Sequence, residues 1–163
     1  MVSIQPGDEA IEDVELESLL RRVYVDGGFT DPAVAEQALK PNAVRRRGEL
    51  LAAVTDDGSV AGIVIAVLPG SPARRIASES EAEMHLLAVL PEYRGLGIGS
   101  RLVEAAVGRA KAAGLTKMVL WTQPSMLEAQ RLYVAHGFVR RAERDASLSP
   151  PAGRSFWVYE RLL

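Results

Sequence analysis

Apolar and polar positions follow two periods along this chain, and the switches between them mark its elements. Val2 to Gln5 is read as a short strand. From Ile11 to Tyr24, Leu16, Leu19, Leu20 and Val23 recur at helical spacing with Glu12, Glu15, Glu17, Arg21 and Arg22 between them, so a helix is predicted, ending at Asp26-Gly27-Gly28. A second helix is predicted from Pro32 to Leu39, with Asp31 as its cap and Pro32 in its first turn. Glu49 to Thr55 and Ser59 to Leu68 are continuous apolar runs joined by Asp56-Asp57-Gly58, the pattern of a β-hairpin.

Pro69 to Ser80, rich in Pro, Gly and Ser, is read as a loop. A strand from Glu83 to Val89 follows, then a glycine-rich turn, then a helix that Gly114 ends. Leu102, Val103, Ala106, Val107 and Ala110 form the inward face of that helix. Lys117 to Thr122 is a further strand. Ser125 to Glu128 spells a capping box that starts a helix ending at His136-Gly137. Phe138 to Arg144 and Phe156 to Leu162 read as two last strands around a loop at Ala146 to Gly153. The layout is α+β, a hairpin-rich sheet with helices packed on it, and residues 1–163 show no internal repeat or linker, as expected of one domain.

Composition narrows the function classes. With 48% apolar and 25% charged residues, the chain resembles an ordinary soluble domain large enough for a true core. The net charge of -2 gives no basic face for nucleic acid. The absence of cysteine excludes disulfides, a thiol nucleophile and thiolate metal sites, and fits a reducing compartment. No signal peptide and no apolar stretch of membrane-spanning length is present, so a cytoplasmic location is expected, with no membrane partner and no metal.

The chemistry concentrates at Tyr93-Arg94-Gly95-Leu96-Gly97-Ile98-Gly99-Ser100. A strand, a glycine turn and a helix in that order aim free backbone N–H groups at one spot, at the positive end of the helix dipole. Such a spot binds phosphate, and glycines keep Cβ atoms away from it. A nucleoside triphosphate loop would end in Gly-Lys-Ser/Thr, but Gly99 is followed by Ser100 and Arg101. A dinucleotide fold would need Gly-x-Gly-x-x-Gly and a later acid; the glycines here are alternate, and the next strand ends in Thr122-Gln123.

Arg94 to Gly99 instead resembles the Arg/Gln-x-x-Gly-x-Gly/Ala signature of the GNAT acetyltransferase superfamily. Ala129-Gln130-Arg131-Leu132-Tyr133-Val134-Ala135-His136-Gly137-Phe138 resembles the same family's Ala-x-x-Leu-Tyr-x-x-x-Gly-Phe. The strong part of the likeness runs from Glu83 to Phe138. It implies the GNAT fold, a mixed, mostly antiparallel sheet splayed at the cofactor strand. It also implies acetyl-CoA as cosubstrate, its pyrophosphate held by backbone N–H groups of Arg94, Gly95, Leu96, Gly97, Ile98 and Gly99 and by the Ser100 hydroxyl. Pantetheine would pair with the main chain of Leu87, Ala88 and Val89. Many members carry Asn three residues before the motif's alanine; Met126 stands there, so grip from this helix is expected from other groups such as Ser125.

Acetyl transfer to an amine needs a base for the amine, a donor for the carbonyl oxygen and a proton for the departing thiolate. The resemblance implies Tyr133 as the proton donor and the Val89 N–H as the oxyanion donor. Glu83 matches the position of the glutamate base of histone-type members. Glu83, His85 and Leu87 alternate onto one face, which makes His85 its neighbour and a second candidate base; a chain of water is the alternative. His136 reads as structural, and Trp121 and Trp157 as core. The runs Arg45-Arg46-Arg47 and Arg74-Arg75 read as solvated, with the ribose 3′-phosphate or an acidic substrate as alternative partners. Chain order puts Tyr24 and Phe29 where the family builds its acceptor pocket. The expected activity is N-acetylation of a primary amine, with a small molecule favoured. A protein or peptide N-acetyltransferase, or a non-catalytic CoA-binding sensor, is the alternative. Homodimers are common among the proteins it resembles.

Overall fold

The computed structural model describes residues 1–150 and 153–163. Seven strands, β1 (Val2–Pro6), β2 (Glu49–Thr55), β3 (Val60–Val67), β4 (Glu81–Val89), β5 (Lys117–Thr122), β6 (Val139–Arg140) and β7 (Trp157–Leu162), form one sheet in the order β1-β2-β3-β4-β5-β7-β6. Among the described residues only the β4–β5 pair is parallel; the other five pairs are antiparallel. The architecture is the expected α+β mixed sheet. Among the described residues six α-helices flank it: α1 (Gly7–Ala10), α2 (Asp13–Leu20), α3 (Pro32–Ala38), α4 (Pro41–Arg45), α5 (Ile98–Ala112) and α6 (Leu127–Ala135). No helix among the described residues is long and apolar enough to cross a membrane.

β3 is buried along its whole length, which is why its sequence is a continuous apolar run rather than an alternating one. One face of the sheet packs on α5, where Leu102, Val103, Ala106 and Val107 meet Val64, Met84 and Leu120. The other face packs on α2 and the turn after it, where Leu16, Leu19, Leu20 and Val23 meet Ile63, Ile65 and Val67. Each of these Leu and Val side chains contributes about 1.5–3 kcal/mol by leaving water.

Two features of β4 position the site. It pairs with β5 only over Glu81–Glu83, matched to Lys117–Val119, and the two strands part beyond that point. It also bulges: Ile63 faces Ala88 while Ile65 faces His85, so two residues of β3 span three of β4. Leu86 absorbs the extra residue at φ 51°, an unusual value for a side chain of its size. The bulge overturns the expected alternation. Glu83 and His85 face the α2 side, whereas Leu87 turns to the α5 side.

Several boundaries differ from expectation. The predicted helix over Ile11–Tyr24 begins at Asp13 and closes as a π-turn at Arg21–Val25. The capping box at Ser125–Glu128 does not form: Met126 is the cap residue of α6 and no side chain bonds there. Gln130 instead donates to the carbonyls of Gln123 and Pro124, at 3.0 Å each, and sets the turn. The predicted strand Phe138–Arg144 shrinks to Val139–Arg140, because the chain coils into a 3-10 turn at Ala142–Ser147. Asp145 holds that turn by bonding Arg140 and the Val158 N–H. Of the expected loop Ala146–Gly153, residues 151–152 lie outside the described residues.

Candidate active site

A cleft of about 560 Å³ opens where β4 and β5 part, bounded by Leu87, Val89, the turn before α5, and the start of α6 from Ser125 to Leu132. Gly97 caps α5 in the left-handed conformation at φ 75°, and no side chain bonds the helix end. The first donor inside the helix is the Arg101 N–H, bonded to the Gly97 carbonyl at 3.2 Å. The N–H groups of Ile98, Gly99 and Ser100 therefore have no intrahelical acceptor, and they add to the positive end of a 15-residue helix. A Cβ on Gly99 would lie 3.0 Å from Leu132 Cδ2, so this glycine lets α5 and α6 meet beneath the cleft. A Cβ on Gly95 or Gly97 would touch nothing within 4 Å; these two are set by their left-handed backbone rather than by crowding.

Gly95, Gly97, Ile98, Gly99 and Ser100 all line the cleft. Arg94 lines it too, but its N–H is bonded to the Pro91 carbonyl at 3.2 Å and is not free for an anion. The Leu96 side chain is 68% exposed and lies outside the cleft, and Ala88 is buried against the α2 layer.

On β4, the Leu90 N–H bonds the Ala61 carbonyl of β3 at 2.9 Å, and the Ala88 carbonyl is also turned to β3, against Gly62. By strand alternation the polar groups of Leu87 and Val89 face the gap left by β5. Two of them already have partners. The Leu87 carbonyl accepts from the Tyr24 hydroxyl at 3.0 Å, and the Val89 carbonyl accepts from Arg94 Nε at 3.2 Å.

Glu83 is fully buried rather than solvated at a strand end. Its Oε1 accepts the N–H groups of Arg75, Ile76 and Ala77, at 2.7 Å for the first and last, because the Pro69–Ser80 loop folds back over it. Its Oε2 lies 2.7 Å from His85 Nε2. Burial alone would raise the Glu83 pKa, but the His85 bond and the loop N–H groups outweigh it and hold the carboxyl below its usual range. A carboxylate so committed is the acceptor, so His85 carries its proton on Nε2 and leaves Nδ1 with a lone pair. That Nδ1 is buried and has no partner among the described residues. Burial holds the imidazole pKa below its ordinary value despite Glu83, which keeps the ring neutral. Trp121, expected in the core, is half-buried and joins neither apolar cluster; it packs edge-on against His85 instead, 4.7 Å between ring centres.

Tyr133 lies on α6, nearly buried, beside Phe138 and Tyr159 at 5.9 and 6.4 Å. Among the described residues nothing hydrogen-bonds its hydroxyl, and burial raises its pKa, so it stays protonated. His136 bonds Glu104 at 2.6 Å. The arginine runs divide. Arg45 pairs with Asp8 and Asp13, and Arg74 with Glu79, while Arg47 is half-buried with no carboxylate partner among the described residues. Sequence reasoning missed the loop N–H groups on Glu83 and the Tyr24 bond to Leu87. Neither leaves a periodic pattern: the loop N–H groups lie six to eight residues before Glu83, and Tyr24 lies 63 residues before Leu87.

Residues 14–138 match the model of the Acetyltransferase (GNAT) family. The chain is 34% identical over 139 residues to a mycothiol acetyltransferase of Stackebrandtia nassauensis, covering 85% of this chain and 44% of that protein. It is 35% identical over 162 residues to an amino-acid acetyltransferase of Pseudomonas syringae pv. syringae, covering 94% of this chain and 31% of that one. The chain thus spans less than half the length of either relative. A GNAT family acetyltransferase of Elizabethkingia anophelis, solved with acetyl-CoA bound, superposes with a TM-score of 0.65 at 18% identity over 99% of this chain and 98% of that one. The glycine turn at the uncapped end of α5, the parted strands and the matched span together establish that the chain belongs to the GNAT acetyltransferase family.

Proposed function

We propose that this chain transfers acetyl from acetyl-CoA to a primary amine of a small molecule by direct attack. One observation carries the reading: the free N-terminus of α5 and the open edge of β4 face the same cleft. The first suits a diphosphate, and the second suits an extended amide chain laid beside a strand. Acetyl-CoA would supply the activated thioester. The acetyl-CoA-bound relative in fold supports this cosubstrate, and the names of the two relatives in sequence support a small acceptor.

The roles follow from the residues. The N–H groups of Gly97, Ile98, Gly99 and Ser100, with the Ser100 hydroxyl, hold the pyrophosphate. The Val89 N–H faces the gap and stabilises charge on the thioester oxygen. His85 accepts the amine proton at Nδ1, and Glu83 fixes its tautomer and steadies the imidazolium that forms. Glu83 is thus the partner of the base rather than the base. Tyr133, a protonated phenol with no competing partner among the described residues, gives its proton to the departing thiolate.

The test is calorimetric titration with acetyl-CoA, followed by CoA release across a panel of amines and peptides. Micromolar binding and turnover of at least one small amine are expected. Tyr133→Phe should bind equally and turn over at least tenfold more slowly, about 1.4 kcal/mol in barrier. Turnover of peptides alone would move the acceptor to a protein. Binding with no CoA release from any acceptor would leave a CoA-binding module in place of an enzyme.

A further inference from the structure

The α2 side of His85 carries an excess of positive charge. Arg47 lies two residues before β2, and between them the chain is pressed onto β3: a Cβ on Gly48 would lie 2.3 Å from the Ala66 carbonyl, beside Val67, which faces Glu83. The Arg47 carbonyl accepts from Ser71 Oγ at 2.7 Å, and Ser71 Oγ accepts from the Ala73 N–H at 3.1 Å. Two residues on, the Arg75 N–H bonds Glu83. Arg47 and Arg75 therefore spring from one hydrogen-bonded patch around the Glu83–His85 pair.

Their side chains differ from those of their sequence neighbours. Among the described residues the Arg47 guanidinium donates only to the Ala38 carbonyl, at 2.8 Å, and Arg75 is exposed to solvent. Neither has a carboxylate partner among the described residues, whereas Arg45 and Arg74 do. Glu83, the carboxylate at the centre of the patch, is spent on three N–H groups and His85. Burial, and also the like charge of Arg75, push the Arg47 guanidinium below its usual range. A half-buried guanidinium without a counter-ion is costly, and its planar fork matches a carboxylate or phosphate.

We infer that Arg47 and Arg75 form an anion clamp for the acceptor, so that the acceptor is a small amine that also carries a carboxylate or phosphate. This rests on the acetyltransferase reading above. The anionic group brings the counter-ion that the patch lacks. The same field disfavours a simple or polycationic amine and eases loss of the proton that the attacking nitrogen must shed before it reacts.

The test uses the full chain with saturating acetyl-CoA and matched acceptors: α-amino acids against the amines left by their decarboxylation, and O-phosphoethanolamine against ethanolamine. At least one anionic acceptor should exceed its uncharged counterpart tenfold or more in kcat/KM, mainly through KM. The pair that shows the preference identifies carboxylate or phosphate. Arg75→Gln, on an exposed side chain that folding does not need, should cut that preference at least threefold; Arg47→Gln should cut it tenfold, with partial rescue by Arg47→Lys. Equal use of charged and uncharged amines, or a preference that survives both variants, overturns the clamp and leaves the acetyltransferase intact. Acetyl-CoA binding without turnover of any anionic amine also overturns the clamp. Failure to bind acetyl-CoA removes the parent reading and the clamp together, and calorimetry separates that case from the others.

Discussion

The Tyr24 hydroxyl donates to the Leu87 carbonyl across 3.0 Å and so ties the π-turn after α2 to the bulge of β4. Leu86, one residue earlier, holds φ 51°, a conformation that costs roughly 1–2 kcal/mol for a residue with a Cβ. The bond offsets part of that cost, and burial keeps the phenol protonated to donate it. Tyr24→Phe should lower stability by about 1 kcal/mol and Tm by about 2–4 °C in scanning calorimetry, with the secondary structure unchanged by circular dichroism. A Tm equal to that of the parent would mean that packing alone holds the bulge.

The pH dependence of turnover should report the Glu83–His85 pair. His85 meets Glu83 on its own strand, Arg47 and Arg75 from the segments packed over it, and Trp121 from β5. Burial lowers its pKa, with the two arginines adding to that and Glu83 opposing it. A base works in its unprotonated form, so kcat/KM should be fully developed at neutral pH and fall on the acid side with a midpoint below ~6.5. Glu83→Gln removes the opposing charge. The midpoint should move further down while the rate at neutral pH drops about tenfold or more, because the imidazolium loses its partner. An acid limb that stays in place in both Glu83→Gln and His85→Gln would remove His85 as base.

Gly97 offers a separate test of the anion site. Its left-handed backbone at φ 75° disfavours any side chain by roughly 1–2 kcal/mol, yet a Cβ there meets no protein atom. Gly97→Ala should therefore fold, with a modest fall in Tm. Gly97→Glu adds bulk and negative charge at the free helix end and should abolish acetyl-CoA binding by calorimetry. Retained affinity in Gly97→Glu would place the diphosphate elsewhere.

The readable parts of this molecule were the local ones. The apolar runs of β2, β3 and β5 and the inward face of α5 announced themselves because burial dictates their composition. The glycine turn was equally plain, since only glycine takes the left-handed backbone at Gly95 and Gly97 without strain. What escaped was set by side chain–backbone bonds and a bulge that follow no periodicity. Glu83 sits at a strand position that alternation marks as ordinary, and only the loop eight to six residues before it makes it a buried anion. The bulge at Leu86 leaves no compositional trace, yet it reverses which face Leu87 joins. Ser125 to Glu128 fitted a capping box, but the glutamine at 130 closed the turn first.

The closed end of the splay is held by charge, and this gives the acid stability of the fold a definite origin. Arg144 reaches Glu81 and Glu160 at 2.9 Å each and the Ile76 carbonyl at 3.0 Å, while Lys117 approaches both glutamates. These groups sit where β4 and β5 still pair, and the contact at Ile76 secures the loop that binds Glu83. Burial would raise the Glu160 pKa, but Arg141, Arg144 and Lys117 overcome it and bring it down to about 2 from 4.5. A depressed carboxylate stabilises the folded state above its unfolded pKa, and that stability drains away as pH falls through the folded value. Between pH 4.5 and about 2 the protein should lose on the order of 2–3 kcal/mol from this group, with the half-exposed Arg141 discounted. Glu160→Gln should unfold more easily in urea at pH 7 and show a flatter decline over that window. Arg144→Met should cost a similar amount and also loosen the Glu83 loop, slowing turnover; a variant as stable as the parent from pH 7 to pH 3 would mean that the cluster contributes nothing net.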